Sequence, residues 1–242
     1  MLILAFDTTA VTASVALLDN ETVIASSSVH NKLTHSEKIL PMADQMLKNS
    51  GYTIDDVELI GVSEGPGSFT GVRIGIATAK GLAFEKNLPI GAVSALEALA
   101  WNIVLFTETD FSQGIIVAPC MDARRDELYN ALFYYDGHTL SRMTEDRPIS
   151  CSELIAELDG HSERIVINGD GAQKLYSYIA DNALGLNAVM APELTLRQNA
   201  VSVGKLAYRK YLSGETNDVL KISPLYLRTS QAERVNNKGE TK

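Results

Sequence analysis

Residues 65–71, with the sequence GPGSFTG, carry residue types that could take part in binding chemistry. They join an apolar run to a helical pattern. The glycines could therefore adopt positive φ angles, and the N–H groups at the helix N-terminus could bind an anion. The spacing fits no standard phosphate loop, because the lysine of GxxxxGK[ST] is missing and the third glycine comes one residue late for GxGxxG. A tight packing turn and an anion site both stay open, and Gly67, Ser68 and Thr70 are the candidate contacts of the second.

Two aspartates each end an apolar run. Asp7 follows residues 2–6, and Asp122 follows residues 115–121. A carboxylate at the end of a strand can orient a hydrated Mg²⁺ ion, or it can accept the hydrogen bonds that close the next turn. No standard phosphate loop follows either aspartate, so the turn-closing role is favoured. Asp7 is kept as a possible nucleotide or anion contact.

Small residues recur at four-residue spacing after the glycine turn. Gly71, Gly75 and Ala79 would lie on one face of a helix, where they would let another helix approach closely. Val72, Ile76, Ala83 and Phe84 would add apolar area. The stripe could be an internal seam of the same chain or a surface for a partner, and spacing alone does not separate the two.

Histidine and cysteine spacing does not favour a metal centre or a nucleophile. The four histidines form neither HxxxH nor HExxH, the two cysteines form no CxxC pair, and no GxSxG motif occurs. Isolated cysteines are more often buried small hydrophobic residues than disulfide partners, so Cys120 and Cys151 are expected in the core. We predict no metal and no complete catalytic site. The histidines are His30, His35, His138 and His161.

Length and charge limit the classes of function. The 242 residues allow two small domains, and the formal net charge of -9 would repel the phosphates of a nucleic acid. The opening run lacks the basic segment of a signal peptide, and no apolar run approaches the roughly 20 residues that span a bilayer. We therefore expect a cytoplasmic protein with no membrane contact.

The first half of the chain predicts a strand meander followed by alternating helices and strands. Thr34 and Glu37 have capping-box spacing, so a helix is expected to start at Thr34, with a kink at Pro41 and an end near Gly51. The predicted strands are 2–6, 12–18, 22–29, 59–63 and 89–93. The predicted helices are 34–48, 70–84 and 94–104.

The second half repeats this order. An apolar run that ends in an aspartate again opens it, and residues 169–171 form a second glycine turn. The predicted strands are 115–121, 128–135, 139–143 and 164–168, and the predicted helices are 153–158, 172–184 and 199–212.

A β-β-β-α-β-α order that appears twice predicts an α/β protein with the duplicated actin-like ATPase fold, also called ASKHA and ribonuclease H-like. We divide the chain into an N-terminal lobe at 1–110, a C-terminal lobe at 111–227 and a flexible polar tail at 228–242. This division is compatible with packing of the last helix against the first lobe.

Segment 63–83, SEGPGSFTGVRIGIATAKGLA, resembles the signature of the TsaB family, also called YeaZ. Four further segments are similar to blocks of that family and extend the resemblance from the first strand nearly to the tail. They are DTTAVTASVALLD at 7–19, THSEKILPM at 34–42, MDARRDELYNALF at 121–133 and PLYLR at 224–228.

The resemblance implies a non-catalytic scaffold or activator subunit. Members of the family serve the machinery that makes N6-threonylcarbamoyladenosine at position 37 of tRNAs reading codons that begin with A. The catalytic partner is TsaD, a relative with the same fold, and the ATPase TsaE joins the complex. The resemblance further implies a homodimer when TsaD is absent, only indirect contact with tRNA, and no cofactor for the lone chain. ATP or ADP at the complex interface is a possible addition.

The resemblance places the partner surface on the first two long helices, and so it favours the partner interpretation of the small-residue stripe. The metal motif HxxxH of TsaD falls on Ala95 and Leu99, which cannot bind a metal. A stand-alone actin-like ATPase or small-molecule kinase remains the alternative, and a metal peptidase is a third hypothesis. The expected interface residues are Thr34, Ile39, Met42, Ala43, Met46, Thr70, Gly71, Val72, Arg73, Gly75, Ile76 and Ala79.

Overall fold

The computed structural model describes residues 1–31, 34–106, 113–183 and 185–227. The predicted domain boundary at 110/111, the last residue of the helix predicted at 172–184 and the predicted tail at 228–242 lie outside the described residues.

The sheet of the first lobe is centred on β1 (Leu2–Asp7), whose six residues are all buried. β2 (Thr12–Asp19) pairs with it antiparallel, and β3 (Thr22–His30) pairs with β2 in the same way. β4 (Leu59–Gly65) and β5 (Ile90–Ser94) continue the sheet in parallel on the other side of β1. The strand order is therefore β3-β2-β1-β4-β5, and the predicted meander is confirmed.

Two helices cover one face of this sheet. α1 (His35–Asn49) and α2 (Phe69–Phe84) begin and end within about a residue of the predicted limits, and Gly51 has the expected positive φ of 78°. The predicted capping box is wrong in one respect: the Thr34 side chain makes no capping hydrogen bond, and its carbonyl accepts from the Glu37 N–H instead.

The second lobe repeats the first. β6 (Ile115–Asp122) takes the place of β1, β11 (Arg164–Asn168) that of β4, and β12 (Ala188–Met190) that of β5. The other elements are β7 (Glu127–Asn130), β8 (Phe133–Tyr135), β9 (Leu140–Arg142), β10 (Arg147–Ser150), α4 (Cys151–Leu158), α5 (Ala172–Asn182) and the short α6 (Glu193–Leu196). β10, β12 and α6 were not predicted.

The single strand predicted at 128–135 is wrong, because it is divided into β7 and β8. Both pieces pair antiparallel with β6, on either side of Pro119. Proline has no N–H to donate to the ladder at that point. The Asn130 side chain spans the gap and donates to the carbonyl oxygens of Pro119 and Ala131 at 3.0 and 3.1 Å.

Two helices lie between the sheets. α3 (Ala95–Phe106) follows β5 in the chain but packs on β6 of the second sheet, whose opposite face carries α4 and α5. α7 (Ala200–Leu212) ends the second lobe but packs on the face of the first sheet that α1 and α2 leave free. Because the two lobes share these helices, they bury a common core. The chain thus has the duplicated two-lobe actin-like α/β fold that the repeat predicts.

None of the helices in the described part of the chain combines the length and the apolar character that crossing a membrane requires.

Candidate partner-binding surface

The glycine turn packs against the β1–β2 turn of the same lobe. Gly65 has a φ of 113°, where a side chain would be strained. A Cβ atom on Gly67 would lie 2.4 Å from the Thr9 carbonyl oxygen. That oxygen accepts a hydrogen bond from the Ser68 N–H at 2.7 Å, and the Ser68 side chain accepts from the Gly71 N–H at 3.3 Å. Two N–H groups that could bind an anion therefore have internal partners, which favours the packing interpretation.

The small-residue stripe is an internal seam. A Cβ atom on Gly71 would lie 2.1 Å from the Thr8 carbonyl oxygen, and one on Gly75 would lie 2.6 Å from Thr8 Oγ1. The Thr8 hydroxyl also donates to the Gly71 carbonyl at 2.7 Å, and Ala79 is fully buried. The interpretation of Gly71, Gly75 and Ala79 as partner contacts is wrong, because these glycines admit the β1–β2 turn rather than another subunit.

Most of the other expected interface residues also belong to the chain's own core. Met42 is partly buried against that core, whereas Thr34, Thr70 and Arg73 are exposed. A buried side chain cannot contact a partner, so the interface assignment of the buried ones is corrected as well. They are Ile39, Ala43, Met46, Val72 and Ile76.

The outward face of α2 carries a different row of residues. Arg73, Ala77, Gly81 and Phe84 are exposed at helical spacing, and we call these four the outer row. A Cβ atom on Gly81 would meet nothing within 4 Å, and Phe84 is 69% exposed. Sequence reasoning named Arg73 and Phe84 but did not join them to Ala77 and Gly81, although Ala77 and Gly81 show the same four-residue spacing as the buried stripe. The charged Arg73 and Lys80 could have identified the solvent side.

An aromatic and cationic cluster stands at the N-terminal end of the outer row. The Arg73 guanidinium carbon lies 3.7 Å from the Phe69 ring centroid and 5.6 Å from that of Tyr226. The two rings are stacked with centroids 5.0 Å apart, and Arg73 Nε donates to the Tyr226 hydroxyl at 2.6 Å. We call these three residues the Arg73 clamp. It joins α2 to a segment 153 residues later in the chain, so local sequence patterns could not predict it.

Both strand-ending aspartates close the turns that follow them. Asp7 Oδ1 accepts from the Thr9 N–H at 2.9 Å and from the Thr9 hydroxyl at 2.6 Å, and Asp7 is 1% exposed. Asp122 Oδ1 accepts from the Arg124 N–H at 3.0 Å and also contacts Lys174 Nζ. These hydrogen bonds confirm the turn-closing role. Contact of Asp7 with a nucleotide stays a prediction, and it would require the turn to open.

Asp7→Asn is expected to raise the free energy of unfolding by about 2–3 kcal/mol at pH 7.5 and to leave it nearly unchanged at pH 4. Burial raises the pKa of Asp7 from 3.8 to about 6, against the lowering effect of its hydrogen bonds. The folded state therefore favours the protonated carboxyl group, and wild-type stability falls as the pH rises from 3.8 through 6. Asparagine keeps the Oδ1 acceptor but never ionises. Urea unfolding at the two pH values measures the difference.

The control for this prediction is Asp136→Asn. Backbone hydrogen bonds from Thr139 and His138 lower the pKa of the exposed Asp136, so its stabilising effect is present at neutral pH and is lost as the pH falls. Its substitution should therefore have the opposite sign. A loss of stability for Asp7→Asn that is the same at both pH values would contradict the raised pKa.

A cavity of about 300 Å³ opens beside the carboxyl ends of β4 and β5. Acidic side chains outnumber basic ones among the described residues that line it: Glu64, Glu97, Glu145 and Asp146 against Arg142 and Lys210. Burial raises the pKa of Glu64 against the lowering effect of Lys210, and the Asp146 carboxylate adds to the rise. An excess of carboxylates makes this space unfavourable for a nucleotide polyphosphate.

The two cysteines and the two positions considered for a metal motif lie in the apolar interior of the chain. Cys120 and Cys151 are buried as predicted, and burial raises the pKa of both thiols. Ala95 and Leu99, the positions that the resemblance predicts to match HxxxH, are 0% and 1% exposed in the core that α3 shares with the second sheet. Within the described ranges, no group of three or more His, Cys, Asp or Glu side chains is arranged to hold a metal.

Comparison with known proteins gives consistent matches over most of the chain. The family model described as TsaD, tRNA N6-adenosine threonylcarbamoyltransferase, matches residues 23–234. The chain is 33% identical to the tRNA threonylcarbamoyladenosine biosynthesis protein TsaB of Bacillus subtilis and 32% identical to that of Escherichia coli, over 96% of each chain. The solved structure of YeaZ from Pseudomonas aeruginosa is 27% identical, with a TM-score of 0.78 over 93% of this chain and 99% of that one.

Proposed function

The chain belongs to the TsaB (YeaZ) group of the family that includes the threonylcarbamoyltransferase TsaD, and we propose that it serves tRNA N6-threonylcarbamoyladenosine biosynthesis as a non-catalytic subunit that binds and activates TsaD. Identity of 32–33% to TsaB proteins along 96% of the chain carries this proposal. The modification would lie at position 37 of tRNAs that read codons beginning with A. TsaE would join through TsaD, and the complex would act in the cytoplasm.

The placement of Ala95 and Leu99 supports a non-catalytic role. The resemblance matches these positions to the metal motif HxxxH of TsaD, whereas here both side chains pack among apolar residues of the core that α3 shares with the second sheet. The turn at 65–71 supports the same role, because its N–H groups at Ser68 and Gly71 are bonded within the chain. These residues serve the fold, and catalysis is left to the partner.

The charges of the chain support indirect contact with tRNA. A formal net charge of -9 would repel the RNA backbone, so the partner would supply the basic surface. The acidic lining of the cavity beside β4 and β5 disfavours the alternative of a stand-alone ATPase or kinase. A nucleotide, if present in the complex, would lie at the junction of the subunits.

We assign partner binding to the outward faces of α1 and α2. The outer row gives α2 a surface in which Ala77 and Gly81 leave room for the backbone of a partner helix. Phe84 and, on the neighbouring α1, Leu40 add apolar side chains that are 69% and 46% exposed. Exposed apolar side chains that lie together on one surface mark a candidate protein interface. The same faces would form a homodimer when TsaD is absent.

Ala77→Arg is expected to weaken binding to TsaD by at least about 30-fold and to reduce modification by the reconstituted TsaB–TsaD–TsaE system in parallel, since a buried unpaired charge costs several kcal/mol at an interface. Ala77 is exposed in the free chain, so the thermal unfolding midpoint should stay within a degree or two of wild type. Isothermal titration against TsaD and a tRNA modification assay measure the two effects.

The matched control is Ala156→Arg, which adds the same side chain at an exposed position on α4 of the second lobe. It should bind TsaD normally. If wild-type protein failed to bind TsaD, or supported modification without it, the proposed function would be wrong. Normal binding by Ala77→Arg would overturn the assignment of the surface to the outer row.

A further inference from the structure

The Arg73 clamp holds an exposed cation in a fixed direction. Phe69 covers one face of the guanidinium group, and the Tyr226 hydroxyl accepts from Nε. The backbone holds Tyr226 in place, because the neighbouring Leu225 N–H donates to the Glu64 carbonyl at 2.8 Å. Ordering a flexible arginine side chain usually costs entropy when it binds at an interface. Because Arg73 is already held in place, this cost is small.

The clamp leaves the binding fork of Arg73 unused. The ion pairs among the described residues involve other arginines and lysines, and the hydrogen bond of Arg73 uses Nε alone. The two terminal nitrogens keep four N–H donors in the planar arrangement that matches a carboxylate. Arg73 is thus stacked and exposed and has no acidic partner within residues 1–31, 34–106, 113–183 and 185–227, in a chain of net charge -9. This arrangement favours a carboxylate supplied by another subunit.

The sign of the local charge favours an acidic protein side chain. The α2 sequence FTGVRIGIATAKGLAF contains Arg73 and Lys80 and no acidic residue. The two cations are seven residues apart, roughly 10 Å along the helix, and all the residues between them are uncharged. Binding of a nucleic acid requires a denser basic groove, because its affinity comes from several phosphate contacts together. Arginine beside tyrosine and phenylalanine is instead the composition of an energetically dominant protein contact.

We propose that Arg73, clamped between Phe69 and Tyr226, anchors the outer row by binding a carboxylate of an Asp or Glu side chain on the catalytic partner subunit. This inference rests on the proposed function and adds two things to it. It assigns a role to Arg73, and it extends the partner surface to the segment around Tyr226, which lies far from the helices in sequence.

The test measures binding of full-length variants to TsaD by isothermal titration at two salt concentrations. Arg73→Ala should weaken binding by about 30- to 100-fold, and Arg73→Lys by about 10-fold, because lysine keeps the charge but loses the fork. Tyr226→Phe keeps the ring and removes the orienting hydroxyl, so about 3- to 10-fold is expected. The affinity of Arg73→Ala should also depend less on salt than that of wild type.

The matched control is Arg209→Ala. Arg209 on α7 is also exposed and stacks on an aromatic ring, with its guanidinium carbon 4.1 Å from the Trp101 centroid. Its loss should change TsaD affinity less than 3-fold. A thermal melt checks that each variant is folded, which is expected because Arg73 and Tyr226 are both exposed.

Separate outcomes distinguish this inference from the proposed function. If wild type binds TsaD and Ala77→Arg does not, while Arg73→Ala binds like wild type, the anchor is wrong and the function stands. If Arg73→Ala weakens binding only when ATP or ADP is present, the group that Arg73 binds is a phosphate and the carboxylate assignment is overturned. Rescue of Arg73→Glu by an acidic-to-arginine substitution on TsaD would identify the partner carboxylate and support the inference directly.

Discussion

Gly71→Ala is expected to destabilise the folded chain by about 3–5 kcal/mol, whereas Gly81→Ala is expected to stabilise it by about 0.5–1 kcal/mol. The substitution is the same, and both positions lie on α2. The new Cβ atom on Gly71 would lie 2.1 Å from the Thr8 carbonyl oxygen, which is backbone and cannot move aside cheaply. The new atom on Gly81 would meet nothing within 4 Å, so the lower backbone entropy of unfolded alanine dominates there.

Urea unfolding at neutral pH measures the difference in the free energy of unfolding between the two variants. Binding to TsaD is measured separately, so that an effect on the outer row is not confused with an effect on stability. Gly81→Ala should bind TsaD with nearly wild-type affinity, because one methyl group on the outer row still leaves room for a helix. Equal stability of Gly71→Ala and wild type would show that the stripe does not pack against the β1–β2 turn.

This pair also shows why a bulky residue at Gly75 cannot test partner binding. The Cβ atom alone would lie 2.6 Å from Thr8 Oγ1, so a larger side chain would disturb the first lobe before any partner is added. Loss of activity in such a variant would follow from misfolding. Ala77 and Gly81, on the opposite side of the same helix, separate binding from folding.

The repeat made the fold predictable from sequence, because its signals are local. Apolar runs that end in Asp7 and Asp122 have the composition of buried central strands, and each is followed by strand and helix patterns in the same order. The prediction of a single strand at 128–135 was wrong because the strand is interrupted opposite Pro119 of the neighbouring strand, which its own composition does not indicate. The packing of α3 on the second sheet and of α7 on the first sheet likewise depends on the tertiary structure.

Most of the partner contacts expected on α2 lie on the face of that helix that packs within the first lobe. Helical spacing places Gly71, Gly75 and Ala79 on one row and Ala77 and Gly81 on another, and it does not say which row faces inward. That choice depends on the close approach of Thr8, which lies 63 residues earlier in the chain. The Tyr226 contact with Arg73 bridges an even longer separation. Contacts of this kind follow from the folded topology, and no local pattern encodes them.

The double variant Ala95→His/Leu99→His, which would recreate the HxxxH spacing, is expected to unfold rather than to bind a metal. Both positions face the core that α3 shares with the second sheet, and Leu99 comes within 3.2 Å of where a Cβ atom on Gly169 would lie. Overpacking costs about 1–3 kcal/mol, and each buried imidazole without a partner costs about 1–3 kcal/mol more. The sum approaches the total stability of a domain, about 5–15 kcal/mol.

Circular dichroism and zinc content of the purified protein measure the outcome. The control places the same spacing at Gln45→His/Asn49→His, where both side chains are exposed on α1 and joined by a 2.7 Å hydrogen bond in the wild type. That variant should fold and should bind zinc weakly through two accessible imidazoles. A folded Ala95→His/Leu99→His protein with stoichiometric zinc would show that the interlobe core can open to form a metal site. The non-catalytic role would then rest on two missing side chains rather than on the way the lobes are packed together.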